Sequence, residues 1–190
     1  MISASDKQIL KVIGIPLILV LPLILLITMV TCDSSSGGNE VIAGVMFTTP
    51  FKEGVPITIT SPFGWRDDPL NQMTAFHNGL DLDAPDGSEV VAAADGYVVE
   101  TGYQENGLGN YVYVEHNFDG IVYYSAYGHM LDGSIVVSEG EPVKAKQKLG
   151  IIGASGRVTG THLHFMLMTP KISYEQKYLV DPLLVIEGLK

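Results

Sequence analysis

The amino-acid sequence predicts an all-β domain of antiparallel strands, a barrel or sandwich, preceded by one apolar N-terminal segment. Three observations predict it. From about Val45 the chain breaks into short runs rich in Val, Ile and Tyr, separated by Gly, Pro, Asn and Asp. No stretch beyond that point keeps a long helical period. Turn pairs recur at Asp86-Gly87, Asp95-Gly96, Asn106-Gly107, Asp119-Gly120 and Glu139-Gly140, the residue types that reverse antiparallel strands.

Taken in order, residues 1–11 are polar and carry Lys7 and Lys11 against Asp6. From Val12 to Val30 there is no charged residue, which is close to the ~20 apolar residues that span a bilayer. Lysines before this run and Asp33 after it place the N-terminus in the cytoplasm. The run is longer than a signal-peptide core and no small-x-small cleavage site follows it. Residues 12–32 are therefore expected to be an uncleaved transmembrane helix rather than a cleaved signal or a lipoprotein signal ending at Cys32. Residues 33–44, with Ser34-Ser35-Ser36-Gly37-Gly38-Asn39, read as a flexible linker. The expectation is a single-pass protein of the cell membrane whose domain, residues 45–190, stands outside the cytoplasm, extracellular or periplasmic.

Composition excludes several classes. The chain has 190 residues, room for one domain plus appendages, and a formal net charge of −10. That charge excludes a nucleic-acid surface, which needs clustered Lys and Arg. Its one cysteine excludes an intrachain disulfide and any Cys-rich zinc module.

Within the domain, strands are expected over 57–60, 89–92, 96–103, 111–116, 121–127, 149–154 and 162–168. The last carries His162-Leu163-His164-Phe165, and alternation sends both histidines to one face and Leu163 and Phe165 to the other. Two histidines on the open face of a strand whose back packs into a core suggest a metal ligand beside a catalytic partner. Upstream, His77-Asn78-Gly79-Leu80-Asp81 supplies another imidazole and a carboxylate. Gly79 disfavours a helix, and an extended reading puts His77 and Asp81 on the same side. Catalytic zinc takes three such ligands and keeps one open position.

The ordered set Phe63-Gly64-Trp65-Arg66, His77-x-x-x-Asp81, Ala84-Pro85-x-Gly87, Ala93-x-x-Gly96, Tyr127-x-His129 and Gly160-x-His162-Leu163-His164-Phe165 resembles the lysostaphin-type zinc metallopeptidases. These are the M23 or LytM-like peptidoglycan endopeptidases. The resemblance runs from about Ser61 to Phe165, with Val180-Asp181-Pro182 similar to the family's exit. It implies a β fold of the duplicated hybrid-motif type, a barrel-sandwich. It also implies Zn2+ held by His77, Asp81 and His164, with His129 and His162 as the two catalytic histidines that handle protons. The substrate implied is the stem or cross-link peptides of the bacterial cell wall.

The residue types suit that chemistry. Amide hydrolysis at neutral pH needs an activated water and a proton carrier whose pKa is near the working pH, which zinc and histidine supply. No Glu stands beside the histidine pair, so His129 and His162 are the available base and acid. Arg66 is read either as a substrate contact or as a partner of Asp67 or Asp68, and His116 as structural. Met166 stands where many members of the family carry an acidic residue.

Two other readings compete. One is an inactive LytM-like activator or scaffold of other wall hydrolases, against which all five expected positions are filled. The other is a hybrid-fold phosphotransferase protein, which leaves Asp81 unexplained and works in the cytosol. A tethered wall peptidase could also serve a secretion or conjugation machine.

Overall fold

The computed structural model describes residues 47–68 and 72–189. The expected transmembrane segment 12–32 and linker 33–44 lie outside the described residues. Twelve antiparallel strands follow in chain order: β1 Thr58–Ser61, β2 Gly64–Asp67, β3 Thr74–His77, β4 Leu80–Asp83, β5 Glu89–Val91 and β6 Gly96–Gln104. Then come β7 Gly109–Phe118, β8 Ile121–Met130, β9 Pro142–Val143, β10 Lys148–Ile151, β11 Leu163–Met168 and β12 Leu179–Val180. Two short 3-10 turns, Gln176–Tyr178 and Pro182–Leu184, are the helical elements among the described residues.

The main sheet runs β1-β4-β11-β8-β7-β6-β9, with β12 also paired to β11, and the ribbons β5-β10 and β2-β3 stand apart from it. The all-β, antiparallel expectation holds. The closed barrel does not, because β1 and β9 end the sheet's order and do not pair with each other. Each of the seven expected strands is present, with the run expected over 149–154 ending at Ile151 and that over 162–168 beginning at Leu163. Gly153 and His162 keep only an isolated bridge between them.

Alternation along the long strands builds two apolar layers. Leu80, Leu82, Val112, Val114, Tyr123, Tyr127, Leu163, Phe165 and Leu167 pack on one face with Val90 and Leu149 of the β5-β10 ribbon. Tyr111, Tyr113, Ala126, Met166 and Met168 form a smaller cluster on the other face, with Phe76 of β3 and Phe63, the residue before β2. Both faces of β11 are therefore covered, and all six of its residues are buried. The tight return between β7 and β8 uses Asp119 at φ 52° and Gly120 at φ 90°. Positive φ at both positions is the primed turn that matches strand twist, so the Asp-Gly pair is placed by backbone sterics.

Candidate active site

The smaller-cluster face of β11 also carries the polar groups. β11 lies between β4 and β8, and His164 stands directly across from Asp81 on one side and Gly128 on the other. Leu163 and Phe165 take the opposite face as alternation requires. Asp81 belongs to β4, whose Leu80 and Leu82 point into the larger core.

His77 arrives by a different route. It ends β3, which pairs only with β2, whereas Asp81 lies in the main sheet. The single extended run expected over 77–81 is thus broken at Asn78-Gly79, and the two side chains meet because the chain passes from one sheet to another. Gly79 has to be glycine for lack of space: a Cβ there would stand 2.6 Å from the Phe165 carbonyl oxygen and 2.8 Å from the His164 ring.

His129 is aimed by backbone distortion. The β7-β8 register slips between Asn110↔Met130 and Val112↔Tyr127. There His129 adopts φ 61°, and its amide donates to the Leu108 carbonyl at 2.6 Å. A bulge with a non-glycine residue at positive φ redirects one side chain at a local cost, a device concentrated at functional sites.

Ring hydrogen bonds set the tautomers. His77 Nδ1 donates to the Pro62 carbonyl at 2.8 Å, leaving Nε2 unprotonated and 3.1 Å from Asp81 Oδ1. His164 Nε2 donates to Asn78 Oδ1 at 3.1 Å, leaving Nδ1 2.7 Å from the same carboxylate oxygen and 3.2 Å from His77 Nε2. Two ring lone pairs and a carboxylate oxygen thereby converge, each histidine steadied by an outer partner in the way of metal-ligating imidazoles. One ligand atom from each of the three lies within 4.8 Å of the others, and all three residues are buried. The donor set fits a divalent cation that takes N and O ligands.

Two further histidines close the cluster. His129 Nδ1 donates to the Ser155 carbonyl at 2.8 Å and His162 Nδ1 to the Gly160 carbonyl at 2.9 Å, so Nε2 is the nitrogen each ring leaves for the cleft. Their ring centroids are 4.8 Å apart, and His129 lies 5.7 Å from His164. His162 Nε2 is 3.7 Å from Asp81 Oδ1.

Burial opposes charge on Asp81, yet the close approach of the His164 and His77 rings outweighs it and holds the carboxyl well below the usual range. Burial also pushes the His164 imidazole down, so it stays neutral. His129 falls to about 4, first through burial and then through the nearby His164.

These groups line an open cleft of about 420 Å³ whose walls include Arg66, Asn78, Gln104, Arg157 and Tyr174. A model of peptidase family M23 matches residues 75–182, more than half of the chain. The chain belongs to peptidase family M23. Among M23-like proteins of known name, the peptidoglycan DD-endopeptidase ShyB of Vibrio cholerae serotype O1 is 39% identical over 111 residues, covering 58% of this chain and 25% of that protein. A solved zinc-containing peptidase from Vibrio cholerae is 33% identical with TM-score 0.58, over 72% of this chain and 39% of that one. The catalytic domain of the antimicrobial peptidase lysostaphin from Staphylococcus simulans is 29% identical with TM-score 0.57, over 68% of this chain and 90% of that domain. The chain spans about a quarter of the length of the curated relatives it matches. Zinc is the cofactor of this M23 centre, in keeping with the His77, Asp81 and His164 donor set and the zinc-containing neighbour.

Other residues fall elsewhere or went unforeseen. Tyr127 turns away from the cleft, its hydroxyl accepting from the Ala93 amide at 2.8 Å in the core. His116 is structural as expected but fully buried, its Nδ1 donating to the Asp95 carbonyl at 2.8 Å and its Nε2 2.7 Å from Ser125 Oγ. Asn78, Ser155 and Pro62, which orient the site's rings, were not legible, because a backbone carbonyl or an amide gains such a role only through distant contacts. Asn78 alone left a trace, its position between His77 and Asp81. Arg66 lies at the cleft with Nη2 3.6 Å from Asp81 Oδ2, while Arg157 Nη2 bonds both oxygens of Asp68 at 3.0 and 2.9 Å.

Proposed function

We propose that this chain is a zinc endopeptidase that cuts stem or cross-link peptides of bacterial peptidoglycan, with His77, Asp81 and His164 as metal ligands and His129 and His162 as catalytic bases and acids. One observation carries the reading: three unprotonated donors converge beside two more histidines whose free nitrogens belong to the same cleft. The relatives named for peptidoglycan cleavage support the substrate class. Zinc held by His77, Asp81 and His164 would supply Lewis acidity, activating water and polarising the scissile carbonyl.

The chain's own residues do the rest. Water adds to the carbonyl carbon as the C–N bond breaks, one of its protons passing to a histidine and then to the departing amine. His129, neutral above about pH 4, accepts a proton at Nε2 while Ser155 holds the ring. His162, anchored through Gly160 and facing Asp81, is placed to steady developing charge and to return the proton.

Residues 12–32 would tether the domain outside the cytoplasmic membrane, where peptide-linked wall is the abundant polymer, and a secretion or conjugation machine is a fitting partner for a local cut. The acidic chain draws no electrostatic pull towards anionic wall polymers, which suits tethered action. The activator alternative is disfavoured by the filled donor set, since a protein that only binds has no need of converging lone pairs. Incubating the zinc-loaded protein with purified walls tests the reading. New amino groups without new reducing sugar ends are expected, and reducing ends alone would overturn it.

A further inference from the structure

The cleft does not share the acidity of the chain. Among the described residues lining it, the charged side chains besides histidine are Arg66, Arg157, Asp68 and Asp81. Two arginines balance two carboxylates, so a divalent ion on the triad leaves the cleft positive in a chain of net charge −10. Arg157 already forks onto Asp68. Arg66 is less committed. Its Nε is buried without a hydrogen-bond partner, its Nη1 reaches the Asp67 carbonyl only at 3.4 Å, and its Nη2 stands 3.6 Å from Asp81 Oδ2. A buried donor left unpaired is costly, and a guanidinium fork is shaped for a planar carboxylate.

The fold holds this fork beside the triad. Gly64 and Arg66 pair across β2-β3 with His77 and Ala75, so Arg66 shares the His77 face of the ribbon. Trp65 and Phe76 occupy the other face, their rings 5.5 Å apart. Gly64, directly opposite His77, puts no side chain between Arg66 and the ligands.

We propose that Arg66 binds a free carboxylate on the amine side of the scissile amide and so selects the peptide bond that is cut. The inference rests on the peptidase reading. Proximity decides the side: Arg66 reaches almost to Asp81, and the α-carboxylate of the amine-side residue is the nearest carboxylate a hydrolysable amide can carry, two bonds from its nitrogen. The favoured class is an acyl amide of an α-amino acid with its carboxylate free, and neutral glycyl bridges are disfavoured.

The test compares two probes on the zinc-loaded full chain in detergent: an N-acyl-D-alanyl-D-alanine peptide with a free carboxylate, and the same peptide as its carboxamide. Wild type is expected to prefer the carboxylate by roughly ten- to hundredfold in kcat/KM, the worth of a charge-assisted hydrogen bond. Arg66→Ala should collapse that ratio towards one, mainly through KM, with zinc content unchanged, and Arg66→Lys should restore only part of it. A wild-type ratio near one, or a ratio that Arg66→Ala leaves intact while both rates fall, overturns the proposal. If neither probe is cut, the peptidase reading fails separately and calorimetry of both probes still decides the arginine. Tighter binding of the carboxylate probe that vanishes in Arg66→Ala upholds it, and equal binding refutes it.

Discussion

His162 and His164 are two residues apart on one face, yet their surroundings divide their work. His164 is paired on both ring nitrogens and its Nδ1 meets the Asp81 carboxylate at 2.7 Å, whereas His162 contacts Asp81 only at 3.7 Å and holds to its own loop through Gly160. His164→Ala is accordingly expected to lose zinc, and His162→Ala to keep it while activity falls by roughly 10²- to 10⁴-fold, the usual worth of positioned proton transfer. Metal analysis of both variants beside a peptide-release assay checks this, and equal metal loss would mean the two roles are exchanged. His116 supports a pH prediction away from the metal. Burial lowers its pKa, so the native state binds fewer protons there than the unfolded chain, whose value is about 6.5. The stability this confers is complete above about pH 6.5 and declines as pH falls below it towards the depressed native value. The urea midpoint of zinc-free protein should drop between pH 7.5 and 5.5, and drop less in His116→Gln. An unchanged pH slope in that variant would assign the acid sensitivity to the other buried histidines.

At the level of elements, the site depends on two interruptions in regular strands. The bulge in β8 turns His129 to the cleft, and the break between β3 and β4 lets His77 and Asp81 meet from separate sheets. Gly79 makes the second possible, because β11 passes so closely that a Cβ would press on the Phe165 carbonyl and the His164 ring. Gly79→Ala should therefore destabilise the domain by about 1–3 kcal/mol, as overpacking does, and weaken zinc binding by displacing His164. Zinc titration against a chelator reads the second effect. Gly120→Ala, where only positive φ is at stake and a Cβ would meet open space, should cost stability and leave zinc affinity untouched.

For the whole molecule, a metal held by His77, Asp81 and His164 would join elements that the sheet order keeps apart, since the β2-β3 ribbon and the main sheet share no strand. Zinc bound only by the native state adds about 2.7 kcal/mol at a hundredfold excess over Kd, so chelation should lower Tm by roughly 5–10 °C in a domain of this size. Calorimetry with and without chelator measures the difference, and an unchanged Tm would mean that the three donors bind no ion in the folded state. The apolar run at 12–32 carries a separate prediction: the mature protein should retain its N-terminal segment as one membrane span. Mass spectrometry decides it, and an N-terminus at a lipidated Cys32 would replace the anchor with a lipid.

The sequence by itself determined the strand pattern, because side-chain alternation and Asp-Gly turn chemistry are local, and seven strands could be placed from them alone. It also determined the candidate set His77, Asp81, His129, His162 and His164, since metal chemistry restricts the residue types and the ordered motifs are specific. Strands β2, β3 and β4 escaped local reading: each is only four residues long, β2 offers no apolar alternation, and β3 and β4 merge in that reading into one extended segment from His77 to Asp81. The tertiary structure alone decided that the sheet stays open, that Tyr127 serves the core, and which ring nitrogen each histidine offers. It also brought Arg66 beside Asp81. Those outcomes depend on contacts such as His77 to the Pro62 carbonyl and Asp81 to His164, and the latter pair is separated by 83 positions in the chain. Local propensity carries no information about such pairs, and only burial of apolar side chains on both faces of the sheet brings them together.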